Sequence, residues 1–284
     1  MGARISAGIR NFIGYAFLVA LSCLVAGAPA KAQTLNIGGT GAALGSIRVI
    51  ADAFEEANPG VKINIPKSIG SGGGIKAVIA GAFDIGLSSR PLKPEESAAG
   101  VTAAMYARTP FVLVTSRTEE ETKVTTSELF LIYSGVRETW PDGESIRLVL
   151  RPQSDSDWDV LAGLSSDFEN SLIEAISRRG LPVAFTDQDA MAMIETLPGG
   201  LGTASLGAVI SENRALRPLT IDGVAPTLDN IADGSYPMEK SLYLVTRPPR
   251  NELTERFIAF IRSGEGARIL TDTGNLVVAA ADRD

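Results

Sequence analysis

Val61 to Ser89 reads VKINIPKSIGSGGGIKAVIAGAFDIGLSS, and this stretch carries the fold. Val61, Ile63 and Ile65 alternate with Lys62 and Asn64, the period of a strand with one face on a core. Ser68 to Gly74 is a glycine-rich turn that opens a helix burying Ile75, Val78 and Ile79. Phe83 to Ser89 is a second strand. Strand, glycine turn, helix and strand in succession form the repeating unit of an α/β domain, and the spacing predicts a largely parallel sheet.

The same pattern extends in both directions. Upstream, a strand over Thr34 to Gly38 runs into the turn Gly38-Gly39-Thr40-Gly41-Ala42-Ala43-Leu44-Gly45. A helix follows with Ile47, Ile50, Phe54 and Ala57 on one face, stopped by Asn58-Pro59-Gly60. Downstream, strands are expected at Phe111 to Thr115, Ile146 to Leu150 and Leu242 to Thr246. Helices are expected near Ser127 to Tyr133, Asp167 to Arg179, Gln188 to Thr196 and Glu252 to Ser263. At the start of the chain, Arg4 and Arg10 precede an apolar run from Phe12 to Ala28, and Ala30 and Ala32 provide the small residues of a cleavage site. Residues 1–32 therefore read as a secretory signal peptide, which makes the mature protein an exported one.

Composition removes several classes of function. The chain has no histidine, and its one cysteine, Cys23, lies in the leader. A Ser/His/Asp triad, a thiolate nucleophile, a disulfide and His- or Cys-ligated zinc are all excluded from the mature protein. No cofactor or metal is expected, and no enzymatic activity. The formal net charge is −7, and Arg4, Arg10 and Lys31 leave with the leader, so the mature chain is more acidic still. Such a surface repels nucleic acid. Gly39-x-Gly41-x-x-x-Gly45 misses the dinucleotide spacing by one, and Gly70 to Lys76 lacks the Gly-Lys-Ser/Thr ending of a nucleotide phosphate loop.

The loops do suit a small anion. A helix N-terminus presents N–H groups without intrahelical acceptors, together with a partial positive charge, and glycine lets a ligand approach the backbone. Thr40, Ser71, Ser88 and Ser89 add hydroxyl donors beside such turns. The plainer reading is that the glycines only make turns and the hydroxyls only cap helices.

Ser71-Gly72-Gly73-Gly74-Ile75-Lys76-Ala77-Val78, followed by Phe83-Asp84-Ile85-Gly86-Leu87-Ser88-Ser89-Arg90-Pro91-Leu92, resembles the periplasmic phosphate-binding proteins of ABC importers. Leu129 to Trp140, Asp233 to Pro237, Ser241 to Val245 and a closing helix over Phe257 to Gly274 extend the likeness over nearly the whole mature chain. The resemblance implies a type II periplasmic binding fold with two α/β lobes joined by two crossover segments. The lobes would be residues 33–116 plus 237–284, and 117–236. It further implies capture of phosphate or a related oxyanion between the lobes, delivery to an inner-membrane ABC permease, a periplasmic location and a monomeric state. The family's oxyanion contacts fall on Thr40, Gly41 and Ala42, on Ser71 with the Gly72 amide, and on Ser89, and its cleft arginine falls on Arg151, for which the plainer reading is a surface salt bridge to Asp155 or Asp157.

Two departures stand out. Where the family has a Gly-Ser-Gly-Thr turn after its arginine, this chain has Ser154-Asp155-Ser156-Asp157, and where some members place a proton-accepting aspartate it has Ser89. Either Asp155 or Asp157 takes over as acceptor for the proton of hydrogen phosphate, or both cap the helix beginning near Trp158 and point outward. A sensory or interaction module on the same scaffold, or a binding protein for sulfate or molybdate, would be the alternative functions.

Overall fold

A computed structural model describes residues 33–118 and 123–278, so the predicted signal peptide lies outside the described residues. The chain runs β1 (Gln33–Gly39), α1 (Gly41–Ala57), β2 (Val61–Asn64), α2 (Gly70–Ile79), β3 (Ile85–Ser88), α3 (Pro94–Ala98) and β4 (Thr102–Thr115). It continues through β5 (Lys123–Val124), α4 (Thr126–Tyr133), β6 (Arg147–Leu148), α5 (Ser156–Ala162), α6 (Ser166–Ser177), α7 (Asp187–Thr196), β7 (Gly200–Ser205) and α8 (Leu206–Ser211). The remainder is β8 (Arg217–Pro218), β9 (Thr220–Ile221), α9 (Leu228–Ala232), β10 (Glu239–Thr246), α10 (Glu252–Ile261), α11 (Gly264–Asp272) and β11 (Leu276–Val277).

The main sheet has the order β2-β1-β3-β10-β4-β7-β6, with β8 and β11 also paired to β4, while β5 and β9 form a separate pair. It is mixed, not largely parallel. β1 pairs in parallel with β2 and β3, and β6 with β7, as expected for strands joined through helices. The centre is antiparallel, because β10 lies between β3 and β4 and opposes both, and β4 opposes β7. Those central strands carry the chain out of one half of the molecule and back again, so they run in opposite directions.

Two pairs of cores flank this sheet. In the first half, Leu35, Ile37, Ile47, Ile50, Phe54, Leu242, Leu244 and Phe257 pack on one face, and Ile75, Val78, Val101 and Val245 on the other. The second half has one core around Phe111, Leu113, Tyr133, Trp140, Trp158 and Phe168, and another around Val112, Val114, Met191 and Ile194. Alternation along β4 sends Phe111 and Leu113 to one of these and Val112 and Val114 to the other. Tyr106 and Ala107, earlier in the same strand, belong to the first half, so the change of core falls inside β4.

Three further expectations are revised. β4 begins at Thr102 and not at Phe111, its first part hidden in the sequence by alanines, which favour strands weakly, but held by eight residues of pairing with β10. The strand expected over Ile146 to Leu150 shrinks to Arg147–Leu148, with a single further bridge from Leu150 to Val183. The closing helix is two helices, broken where the Ser263 hydroxyl accepts from Gly266 N at 3.2 Å and starts α11.

Candidate functional site

The carboxyl ends of β1 and β3 and the heads of α1 and α2 come together, as the loops of an α/β sheet should. Gly39 has φ +149°, and a Cβ there would lie 2.1 Å from the Leu87 carbonyl oxygen, so only glycine lets β1 end this close to β3. Thr40, Ser71 and Ser89 are thereby brought into one group. The Thr40 and Ser89 hydroxyls are 3.2 Å apart, those of Ser71 and Ser89 are 3.1 Å apart, and the Ser89 amide donates to Ser71 Oγ at 3.0 Å. Thr40 precedes α1 without making a capping bond through its side chain, so its hydroxyl is not spent on the helix.

The second half of the molecule closes onto this group. Ser156, the first residue of α5, places its hydroxyl 2.8 Å from that of Ser89. Gln188 Nε2 donates to the Gly41 carbonyl at 3.1 Å, and Ser205 Oγ donates to the Ala42 carbonyl at 3.2 Å. Around Gly41 there is no room for a side chain: a Cβ would lie 2.3 Å from Gln188 Oε1 and 2.6 Å from Asp187 Oδ2. The amides of Gly41 and Ala42 head the 17-residue α1, and those of Ser71 and Gly72 lie in the first turn of α2, where backbone N–H groups and the helix dipole favour an anion.

Behind the hydroxyls lies a buried ion cluster. Arg151 Nη2 bonds Asp155 Oδ2 at 2.6 Å and lies 3.8 Å from Asp187 Oδ2, Nη1 donates to the Ala184 carbonyl at 3.2 Å, and Nε lies 3.8 Å from Asp157 Oδ2. Lys240 Nζ bonds Asp157 and lies 3.7 Å from Asp187 Oδ1 and 5.3 Å from the centre of the Phe111 ring. Thr203 donates to the other oxygen of Asp157. Two cations thus face three carboxylates. Burial, reinforced by the Asp157 charge, pushes Asp155 up to about 7. Burial opposes ionisation of Asp157 as well, but Lys240 and Arg151 outweigh it and hold that carboxyl well below the usual range. For Arg151 and Lys240, burial works against the charge, and the surrounding carboxylates overcome it and raise both pKa values.

The sequence-predicted residues divide accordingly. Thr40, Gly41, Ala42, Ser71, Gly72, Ser89, Asp155 and Ser156 meet around the junction of the two halves, with Arg151 directly behind. Ser88 does not join them: it is fully buried and its hydroxyl donates to the Arg90 carbonyl at 2.7 Å. Ser154 is exposed on the outer wall of the cleft. Asp157 is 1% exposed and turned into the ion cluster, neither an outward cap nor a group facing the cleft. Asp155 does cap α5, accepting from Asp157 N at 3.0 Å, but its other oxygen points inward to Arg151.

Lys240, Asp187, Gln188 and Thr203 were not anticipated. For Lys240 a signal existed, since it shares the inward face of β10 with Leu242 and Leu244, an odd register for a lysine on a surface strand. Asp187 looks like any acidic residue in the first turn of a helix, and nothing local separates it from one. Among the described residues no group of acidic or cysteine side chains is arranged to hold a metal ion.

Outside the hydroxyl group the two halves leave a cleft of about 800 Å³. Ser71, Gly72 and Lys76 line one wall, and Ser154, Ser156 and Phe185 the other.

Comparison with known proteins agrees with this architecture. A family model described as the PBP superfamily domain matches residues 25–265. The phosphate-binding protein PstS of Bacillus subtilis is 24% identical over 253 residues, covering 86% of this chain and 81% of that protein. PstS of Borreliella burgdorferi is 25% identical over 215 residues, covering 73% of this chain and 77% of that protein. A Clostridium perfringens protein described as a phosphate ABC transporter substrate-binding protein, solved with bound phosphate, superposes with a TM-score of 0.73. It is 23% identical, and the match covers 87% of this chain and all of that one, which establishes the shared two-lobed fold. On the extent of the family match and this agreement in fold, the chain belongs to the PBP superfamily.

Proposed function

We propose that the protein is the substrate-binding component of an ABC importer, capturing phosphate or a closely related tetrahedral oxyanion between its lobes. The observation that carries this reading is the convergence of the Thr40, Ser71, Ser89 and Ser156 hydroxyls at the heads of two helices, in front of Arg151. Hydroxyl and amide dipoles supply most of the attraction, because the cations behind them are already matched by carboxylates. The ligand replaces the hydroxyl–hydroxyl contacts at this point, while the amides at the helix heads are oriented by the fold before it arrives. Asp155, raised to about 7, accepts the proton of hydrogen phosphate in its ionised form, and in that form it disfavours an anion that carries none.

In this reading the chain crosses between the lobes within β4, ahead of the expected boundary at residue 116, and again through the segment leading to β10, and hinge closure follows capture. The protein binds its ligand without transforming it. It works as a monomer in the periplasm after loss of residues 1–32 and hands its ligand to a membrane permease. The named relatives support the choice of phosphate. Calorimetry of the mature protein with phosphate, sulfate and molybdate tests the reading, with phosphate expected to bind tightest. Arg151→Ala should weaken binding sharply, because it leaves Asp155 and Asp187 without that cation behind the hydroxyls, and heat from none of the three anions would refute the proposal.

A further inference from the structure

The cleft outside the hydroxyl group is large for a bare oxyanion. A tetrahedral anion takes up roughly the space of three waters, about 90 Å³. The cleft measures about 800 Å³, within the range of about 300–1,000 Å³ that houses organic ligands. The halves meet at Ser89 and Ser156, 2.8 Å, and at Gln188 and Gly41, 3.1 Å, and the cleft lies outside these contacts.

Within its mostly polar walls, the cleft offers two large exposed apolar side chains to an organic group. Phe185 is 73% exposed on one side and Ile69 is 48% exposed on the other, and both line the cleft. Phe185 directly follows Ala184, whose carbonyl accepts from Arg151 Nη1 at 3.2 Å, so its backbone is held next to the charge cluster. The guanidinium of Arg90, also on the wall, is committed to Glu96 through bonds of 2.8 and 2.7 Å. The two lysines of the wall, Lys76 and Lys93, stand against Glu95, Asp155 and Asp159, which leaves no net positive charge for a second anionic group.

From this we infer that the site accepts a phosphoryl or phosphonyl group carrying an organic substituent, its head among Thr40, Ser71, Ser89 and Ser156 and its apolar body between Ile69 and Phe185. The inference rests on the oxyanion reading given above and extends it from the head group to the whole ligand.

Calorimetry of the mature protein with inorganic phosphate, methylphosphonate and phenylphosphonate provides the test, repeated on Phe185→Ala, an exposed position whose loss leaves the cores intact. Phenylphosphonate should bind about tenfold more tightly than methylphosphonate. Phe185→Ala should bring the two to parity while leaving inorganic phosphate within about threefold of its original affinity. If inorganic phosphate binds and the phenyl group gives no gain, the inference is overturned and the oxyanion reading stands. A phenyl gain that survives Phe185→Ala also overturns it, since the substituent then lies elsewhere. If none of the three binds, both readings fall.

Discussion

Asp155 holds three positions at once: it caps α5, pairs with Arg151 and lines the cleft. With its carboxyl raised to about 7, the excess negative charge behind the hydroxyls disappears as pH falls. Anion affinity should therefore rise between pH 8 and pH 6, followed through the fluorescence of buried Trp158 on the same short helix. Sulfate as the probe removes the ligand's own titration from the comparison, and Asp155→Asn should flatten the profile. The same shift has a stability consequence. A carboxyl raised on folding stabilises the protein at pH values below its ordinary range, and that contribution is lost as pH rises through about 7. Asp157 acts in the opposite sense: its contribution is present at neutral pH and is lost as acid protonates it. Lys240→Met removes the main partner of that buried carboxylate and should cost about 3–5 kcal/mol in urea unfolding. Adding Asp157→Asn should return part of the loss.

At the level of elements, the site depends on how closely the head of α1 can approach the second lobe. Gly41 is the point of contact, with Asp187 and Gln188 against it. Gly41→Ala should wedge the lobes apart. We expect at least about a tenfold loss of anion affinity and a larger radius of gyration by X-ray scattering, with thermal stability kept because alanine favours the helix more than glycine does. An unchanged radius of gyration would show that the contact does not limit closure. Elements with a long period were readable in advance. α1 was recognisable from Ile47, Ile50 and Phe54, and α10 from its apolar face, because those residues pack within their own half. The first part of β4 was not, since its alanines gain their strand geometry from β10, more than 130 residues away in the chain.

For the molecule as a whole, the acidic surface and the internally matched charges predict binding that depends little on salt. Phosphate affinity should change by less than about threefold between 0.05 and 0.5 M sodium chloride, because contacts out of water are poorly screened. A steep fall would mean that long-range charge, and not oriented dipoles, holds the ligand. The α/β class, the glycine turns and the hydroxyls at the helix heads could be read from residue order, because turn chemistry and helical periodicity are local properties of the chain. Membership of the ion cluster could not: Lys240 and Asp157 are 83 residues apart, and Asp157 and Asp155 differ in role although they stand two positions apart. Which carboxylate faces inward, how much room the cleft keeps and which way the central strands run follow from packing between distant segments, where burial sets the cost of each charge.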